Sequence, residues 1–83
     1  MTFERFVNNV DAVVRTNTPA EYGLYAGPHV AFWQQGAITA RVREGTAGDV
    51  ELDVARDEPT IVRTTCDARG AQHVAETILA TWG

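Results

Sequence analysis

Between His29 and Cys66 apolar and polar residues alternate with a period of two, the signature of β-strands with one buried face. The pattern predicts four strands joined by three turns. In the first, Val30, Phe32 and Gln34 point one way while His29, Ala31 and Trp33 point the other. Ile38, Ala40 and Val42 alternate with Ala37, Thr39, Arg41 and Arg43 in the second. Val50, Leu52 and Val54 alternate with Asp49, Glu51, Asp53 and Ala55 in the third, and Val62, Thr64 and Cys66 mark the buried side of the fourth.

The turns set an expected register. A three-residue loop at Gln34-Gln35-Gly36, with the glycine left-handed, pairs Phe32 with Ile38 and Val30 with Ala40. The turn Glu44–Gly48 pairs Val42 with Val50 and sets Arg43 opposite Asp49 and Arg41 opposite Glu51. The turn Asp57-Glu58-Pro59 brings Val62 opposite Val54, Cys66 opposite Val50 and Arg63 opposite Asp53. A slip of one residue would bury all three arginines, so the register is strongly specified.

Helical periodicity flanks the strands. Thr2 is placed to cap a helix to about Arg15 whose apolar stripe is Phe3, Phe6, Val7, Val10, Val13 and Val14, with Glu4, Asn8, Asp11 and Arg15 opposite. Pro19 stops it. Asp67 is the expected cap of a second helix to Trp82, with Ala71, Val74, Ala75, Ile78, Leu79 and Trp82 apolar. Ala20 to Pro28 reads as a connecting loop that begins the first strand near Leu24, with its tyrosine hydroxyls in water. The expected fold class is α+β: an antiparallel four-stranded meander with both terminal helices on one face, in the order α-β-β-β-β-α. All 83 residues fit one domain.

Charge narrows the function classes. Eleven acids oppose seven bases for a net charge of −4, and every base is arginine. An arginine-only, alanine-rich chain suggests a high-GC bacterial or phage origin. A sequence pI near 4.9 argues against nucleic acid, whose binders carry a basic stripe. No apolar run is long enough to span a bilayer, and the first residues, MTFERFVNN, lack the basic and apolar regions of a secretory signal. A single cysteine suits a reducing compartment, so the expected location is the cytoplasm.

The catalytic candidates are few. Cys66 precedes a helix, with His73 one to two turns on, but the strand pattern turns it into the core, where unpaired cysteine acts as a small hydrophobe. His29, expected near Arg41 and Glu51, is either a proton-transfer group or a solvated surface histidine. Asp49, Glu51 and Asp53 each face an arginine and read as a salt-bridged surface. Two histidines and a cysteine without close spacing make a poor metal site, and no cofactor motif is present.

Gly27-Pro28-His29 followed by Phe32, a meander and a closing helix resembles in outline a double-stranded RNA-binding domain. The Gly-Pro-x-His spacing differs by one residue, a fourth strand intervenes, and the lysine cluster that grips phosphate is missing. No membership follows.

The open sheet face is the expected working surface. The register above places Trp33, Ala37, Ala55 and Ile61 in one apolar row, with Arg63 and Arg41 beside it. Such a patch suits a protein partner or a second copy, or is covered by the loop before the first strand. The leading expectation is a non-enzymatic interaction module of accessory, inhibitor or immunity type, homodimeric if the face is self-complementary. The alternative is a small-ligand binder or minor enzyme with a pocket formed by Tyr22, Tyr25 and His29, with Arg41 among its polar groups.

Overall fold

A computed structural model of the chain describes residues 1–19, 21–56 and 58–82. Among these, helix α1 (Phe3–Asn17) precedes five strands, β1 (Gly23–Ala26), β2 (Val30–Gln35), β3 (Ile38–Glu44), β4 (Asp49–Ala55) and β5 (Thr60–Thr65). Helix α2 (Ala68–Trp82) closes the chain. The strands form one antiparallel sheet in sequence order, and α1 and α2 pack together, with α2 over β4 and β5. The class is α+β with two terminal helices, and the sheet has five strands, not four.

The helix ends follow from local chemistry. The Thr2 hydroxyl accepts the Arg5 N–H at 3.2 Å, and the Asp67 carboxylate accepts the Gly70 N–H at 2.8 Å. Each satisfies one of the amides a helix start leaves unpaired. Helix α1 runs two residues beyond Arg15 because Thr16 and Asn17 return their side chains to the carbonyls of Ala12 and Val13. Phe6, Val7, Val10 and Val14 on α1, and Val74, Ala75 and Ile78 on α2, then close over Ala40, Val42, Val50, Leu52 and Val54. Burial of these side chains contributes roughly 1.5–3 kcal/mol for each large one.

The extra strand comes from the stretch expected to be a loop. Gly23–Ala26 pairs with β2, Tyr25 lying opposite Phe32 and Leu24 opposite Trp33. It lengthens the sheet at one edge and does not fold over the open face.

The β2–β3 turn corrects the expected register. Gln35 pairs with Ile38, so the loop is the two residues Gly36 and Ala37, with Gly36 at a φ of 59°. A positive φ at the first loop position is the hairpin geometry that follows strand twist, and glycine adopts it without strain. Trp33 now lies opposite Ala40 and Ala31 opposite Val42, an odd shift that turns β2 over. Trp33 and Ala31 are fully buried, and Val30 and Phe32 move to the open face.

The remaining turns shift register by two and leave the faces unchanged. Gly45 donates to the Asp49 carbonyl at 2.8 Å, closing a three-residue loop that ends on left-handed Gly48 (φ 73°). Arg43 therefore faces Glu51, not Asp49, and Arg41 faces Asp53, not Glu51. On β5, Val62 faces Leu52 and Arg63 faces Glu51 in place of Asp53, while Cys66 meets Gly48 in place of Val50. Of the expected third turn, Asp57 lies outside the described residues.

Candidate functional site: the open sheet face

Both helices cover one side of the sheet, so the other side is bare. Its central row runs Tyr25, Phe32, Arg41, Asp53 and Ile61 across all five strands. Tyr25 and Ile61, at the two ends, are 60% and 62% exposed. The rings of Tyr25 and Phe32 lie 5.9 Å apart and tilted by 48°, an arrangement their quadrupoles favour. The Arg41 guanidinium reaches Asp53 at 3.1 Å in the middle of the row. Phe32, Thr39, Arg41, Asp53 and Ala55 line a shallow depression there.

The neighbouring row is charged. Glu51 accepts from Arg43 at 2.7 Å and from Arg63 at 3.0 Å, one carboxylate oxygen to each guanidinium. These two hydrogen bonds, Arg43 first, hold the Glu51 carboxyl below the usual carboxylate range. Exposed pairs contribute little to stability, and here they orient three arginines over the face.

The expected interaction residues divide. Arg41, Arg63, Ala55 and Ile61 stand on the open face. Ala37 sits in the β2–β3 turn and Trp33 in the core, so the row anchored by Trp33 does not exist. Phe32 and Tyr25 supply the aromatic end in its place. Their signal was present, since Val30 and Phe32 alternate as cleanly as Ala31 and Trp33.

The residues proposed for a ligand pocket are not brought together. Tyr22 turns to the helix side, where its hydroxyl donates to Asp11 at 2.7 Å and its ring meets Trp82 at 5.3 Å. That hydroxyl is engaged within the fold, and partial burial raises its pKa. Tyr25 is on the open face. His29 lies opposite neither Arg41 nor Glu51 but contacts Glu44 at 2.9 Å, with a side chain 79% exposed. His29, Glu44 and the start of α1 border a separate hollow that contains neither tyrosine.

Cys66 is half-buried, its Sγ 3.6 Å from the Met1 carbonyl oxygen, to which it donates. Burial pushes its thiol pKa up, the wrong direction for a nucleophile. Asp67 occupies the α2 start that would stabilise a thiolate. Among the described residues no cluster of three His, Cys, Asp or Glu side chains is placed to hold a metal ion. No helix among them is long and apolar enough to cross a membrane.

The fold and the site together define a two-layer α+β domain with a bare, mixed aromatic and ionic sheet face. No family model, curated protein sequence or solved structure matches the chain.

Proposed function

We propose that the protein is a non-enzymatic interaction module that docks on another protein through its open sheet face. The observation that carries this reading is the row Tyr25–Phe32–Arg41–Asp53–Ile61, which leaves two large apolar side chains exposed on either side of a paired arginine. Aromatic and arginine side chains dominate binding energy where water is excluded from them. A net charge of −4 and a pI near 4.9 favour a protein partner over nucleic acid. The partner surface that fits carries apolar side chains at two separated points and a polar group between them that meets Arg41 and Asp53. An accessory or inhibitor role in a bacterial or phage cytoplasm belongs to the same reading, resting on composition alone.

The test is co-purification from the source cells with three forms of the chain: wild type, Tyr25→Ser with Arg41→Ala, and Gln72→Ser on the exposed side of α2. The reading requires one protein held by the wild type and by Gln72→Ser but released by the face variant, with circular dichroism unchanged. Retention of the same protein by the face variant would overturn it.

A further inference from the structure

The second surface lies along the edge of β5 and follows from which backbone groups point outward. Cys66 donates its N–H to the Gly48 carbonyl at 2.9 Å, so its backbone faces β4. Backbone direction alternates along an antiparallel strand. Thr60, Val62 and Thr64 therefore also pair inward, and Ile61, Arg63 and Thr65 present their N–H and C=O groups beyond the sheet. The opposite edge is poorer. Gly27 donates to Val30 at 2.8 Å, which leaves only Leu24 and Ala26 of β1 directed outward.

Long exposed edges are ordinarily blocked by lysine, by proline within the strand or by a bulge. Residues 60–65 contain none of these blocks, and the Arg63 guanidinium is drawn back over the sheet by Glu51. Two groups at the ends of the edge cannot take part in a full ladder. The Thr65 carbonyl already accepts the Asp67 N–H at 3.0 Å, and Pro59, just before β5, has no N–H.

We infer that β5 pairs antiparallel with β5 of a second copy about a two-fold axis at Val62. In that register Ile61 lies opposite Arg63 of the second copy and exchanges two hydrogen bonds with it, and symmetry supplies two more. Thr65 lies opposite Pro59 of the second copy and donates its N–H to the proline carbonyl. The one bond missing there needs the donor that proline lacks and the acceptor that Asp67 occupies. The two defects fall on each other.

Neighbouring registers lose this match. An axis at Arg63 sets two guanidinium-bearing residues directly opposite and aims each Ile61 N–H at an occupied Thr65 carbonyl. An axis at Ile61 carries Thr65 beyond the paired segment. Centred on Val62, the seam instead reads Asp53, Ile61, then Arg63 and Glu51 of the second copy, so no like charges lie directly opposite. The two Arg63 side chains, diagonal neighbours across the axis, are each held by their own Glu51. Each Ile61 gains the stem of an arginine to pack on, and the half-buried Val62 side chains meet on the helix side. Opposite residues share a face in antiparallel pairing, so both helical layers fall on one side. The two bare faces become one ten-stranded surface, which enlarges the docking face but does not depend on its use.

The experiment is sedimentation of the full chain from low micromolar to millimolar concentration. The mass should rise from 9.1 kDa towards twice that value, 18.2 kDa. Ile61→Pro removes an outward N–H and no intramolecular hydrogen bond, and should hold the mass at 9.1 kDa throughout. Tyr25→Ser should dimerise as the wild type does, which separates this edge from the docking face. Amide exchange on the wild type gives a readout that needs no variant. The Ile61, Arg63 and Thr65 amides should slow as concentration rises, while those of Leu24 and Ala26 do not change. A wild type that stays at the monomer mass at millimolar concentration would overturn the pairing. So would a dimer that survives Ile61→Pro, or exchange at Ile61 and Arg63 independent of concentration.

Discussion

The indole N–H of Trp33 donates to the Asp11 carboxylate across 3.2 Å, joining the middle of β2 to the middle of α1. Trp33 is fully buried, and Asp11 on the helix also receives the Tyr22 hydroxyl at 2.7 Å and the Arg15 guanidinium at 2.8 Å. One carboxylate thus satisfies the polar tips of two aromatic residues, Trp33 from the sheet and Tyr22 from the connection to it. Asp11→Ala leaves the indole N–H and the phenol without an acceptor. An unsatisfied buried donor costs about 1–3 kcal/mol. Urea unfolding should show a loss of at least that size, with Asp11→Asn falling between the two, because the amide oxygen still accepts.

The two tryptophans should respond differently to replacement by phenylalanine. Trp33→Phe removes a hydrogen bond and leaves a void at the centre of the core, a combination that costs about 2–4 kcal/mol. Trp82 is half-buried and its ring nitrogen has no hydrogen-bond partner among the described residues, although its ring packs on Tyr22. Trp82→Phe discards an unpaired polar group and keeps an aromatic neighbour for Tyr22, so its cost should stay below about 1 kcal/mol. Thermal melts separate the cases, because each kcal/mol moves the midpoint of a domain this size by roughly 4–8 °C.

Gly70 has a role that helix propensity hides. It is buried in the first turn of α2, and a Cβ built there would fall on the Thr65 carbonyl oxygen. Alanine at an ordinary helical position is better than glycine by about 1 kcal/mol. Here backbone opposes backbone and neither side can rotate away. Gly70→Ala should therefore destabilise the fold by about 1–3 kcal/mol, the range for overpacking. A rise in melting temperature would refute the close approach of α2 to the end of β5.

Acid should weaken the fold through two named carboxylates. Hydrogen bonds from Arg43 and Arg63 lower the pKa of Glu51, and the Gly70 N–H, followed by the Thr65 hydroxyl, lowers that of Asp67. A folded-state pKa below the unfolded one means that the stabilisation is present above the unfolded value. It is lost as pH falls through the folded value. The decline should begin near pH 4, the ordinary carboxylate range of about 3.9–4.3, and continue below it. Glu51→Gln and Asp67→Asn should each be less stable than wild type at pH 7 and flatten the acid limb of the stability profile.

Most of the elements are legible in the chain itself. The stripe from Phe3 to Val14 and that from Ala71 to Trp82 have no reading but helix, and Thr2 and Asp67 cap them as their chemistry suggests. On β3 and β4, charged residues alternate with Val, Leu and Ala. The faces therefore survive a two-residue error in register, because no even shift can bury Arg41, Arg43 or Glu51. The candidate site was legible in half. Its ionic part follows from those strands, while its aromatic part belongs to Tyr25 and Phe32 and not to Trp33.

The sequence alone determined the two helices, the strands β2 to β5 and which side of β3 and β4 faces water, because polarity contrast along β3 and β4 is steep. It did not determine the face of β2. Val30 and Phe32 are as apolar as Ala31 and Trp33, so alternation there has no sign. Nor did it separate a four-residue edge strand at Gly23–Ala26 from a loop. Tertiary structure decided both together. With β2 turned over, the Trp33 indole N–H reaches Asp11 on α1, and the displaced Phe32 is met by Tyr25 of β1. Those contacts join residues 22 and 7 positions apart, and local periodicity carries no information about them.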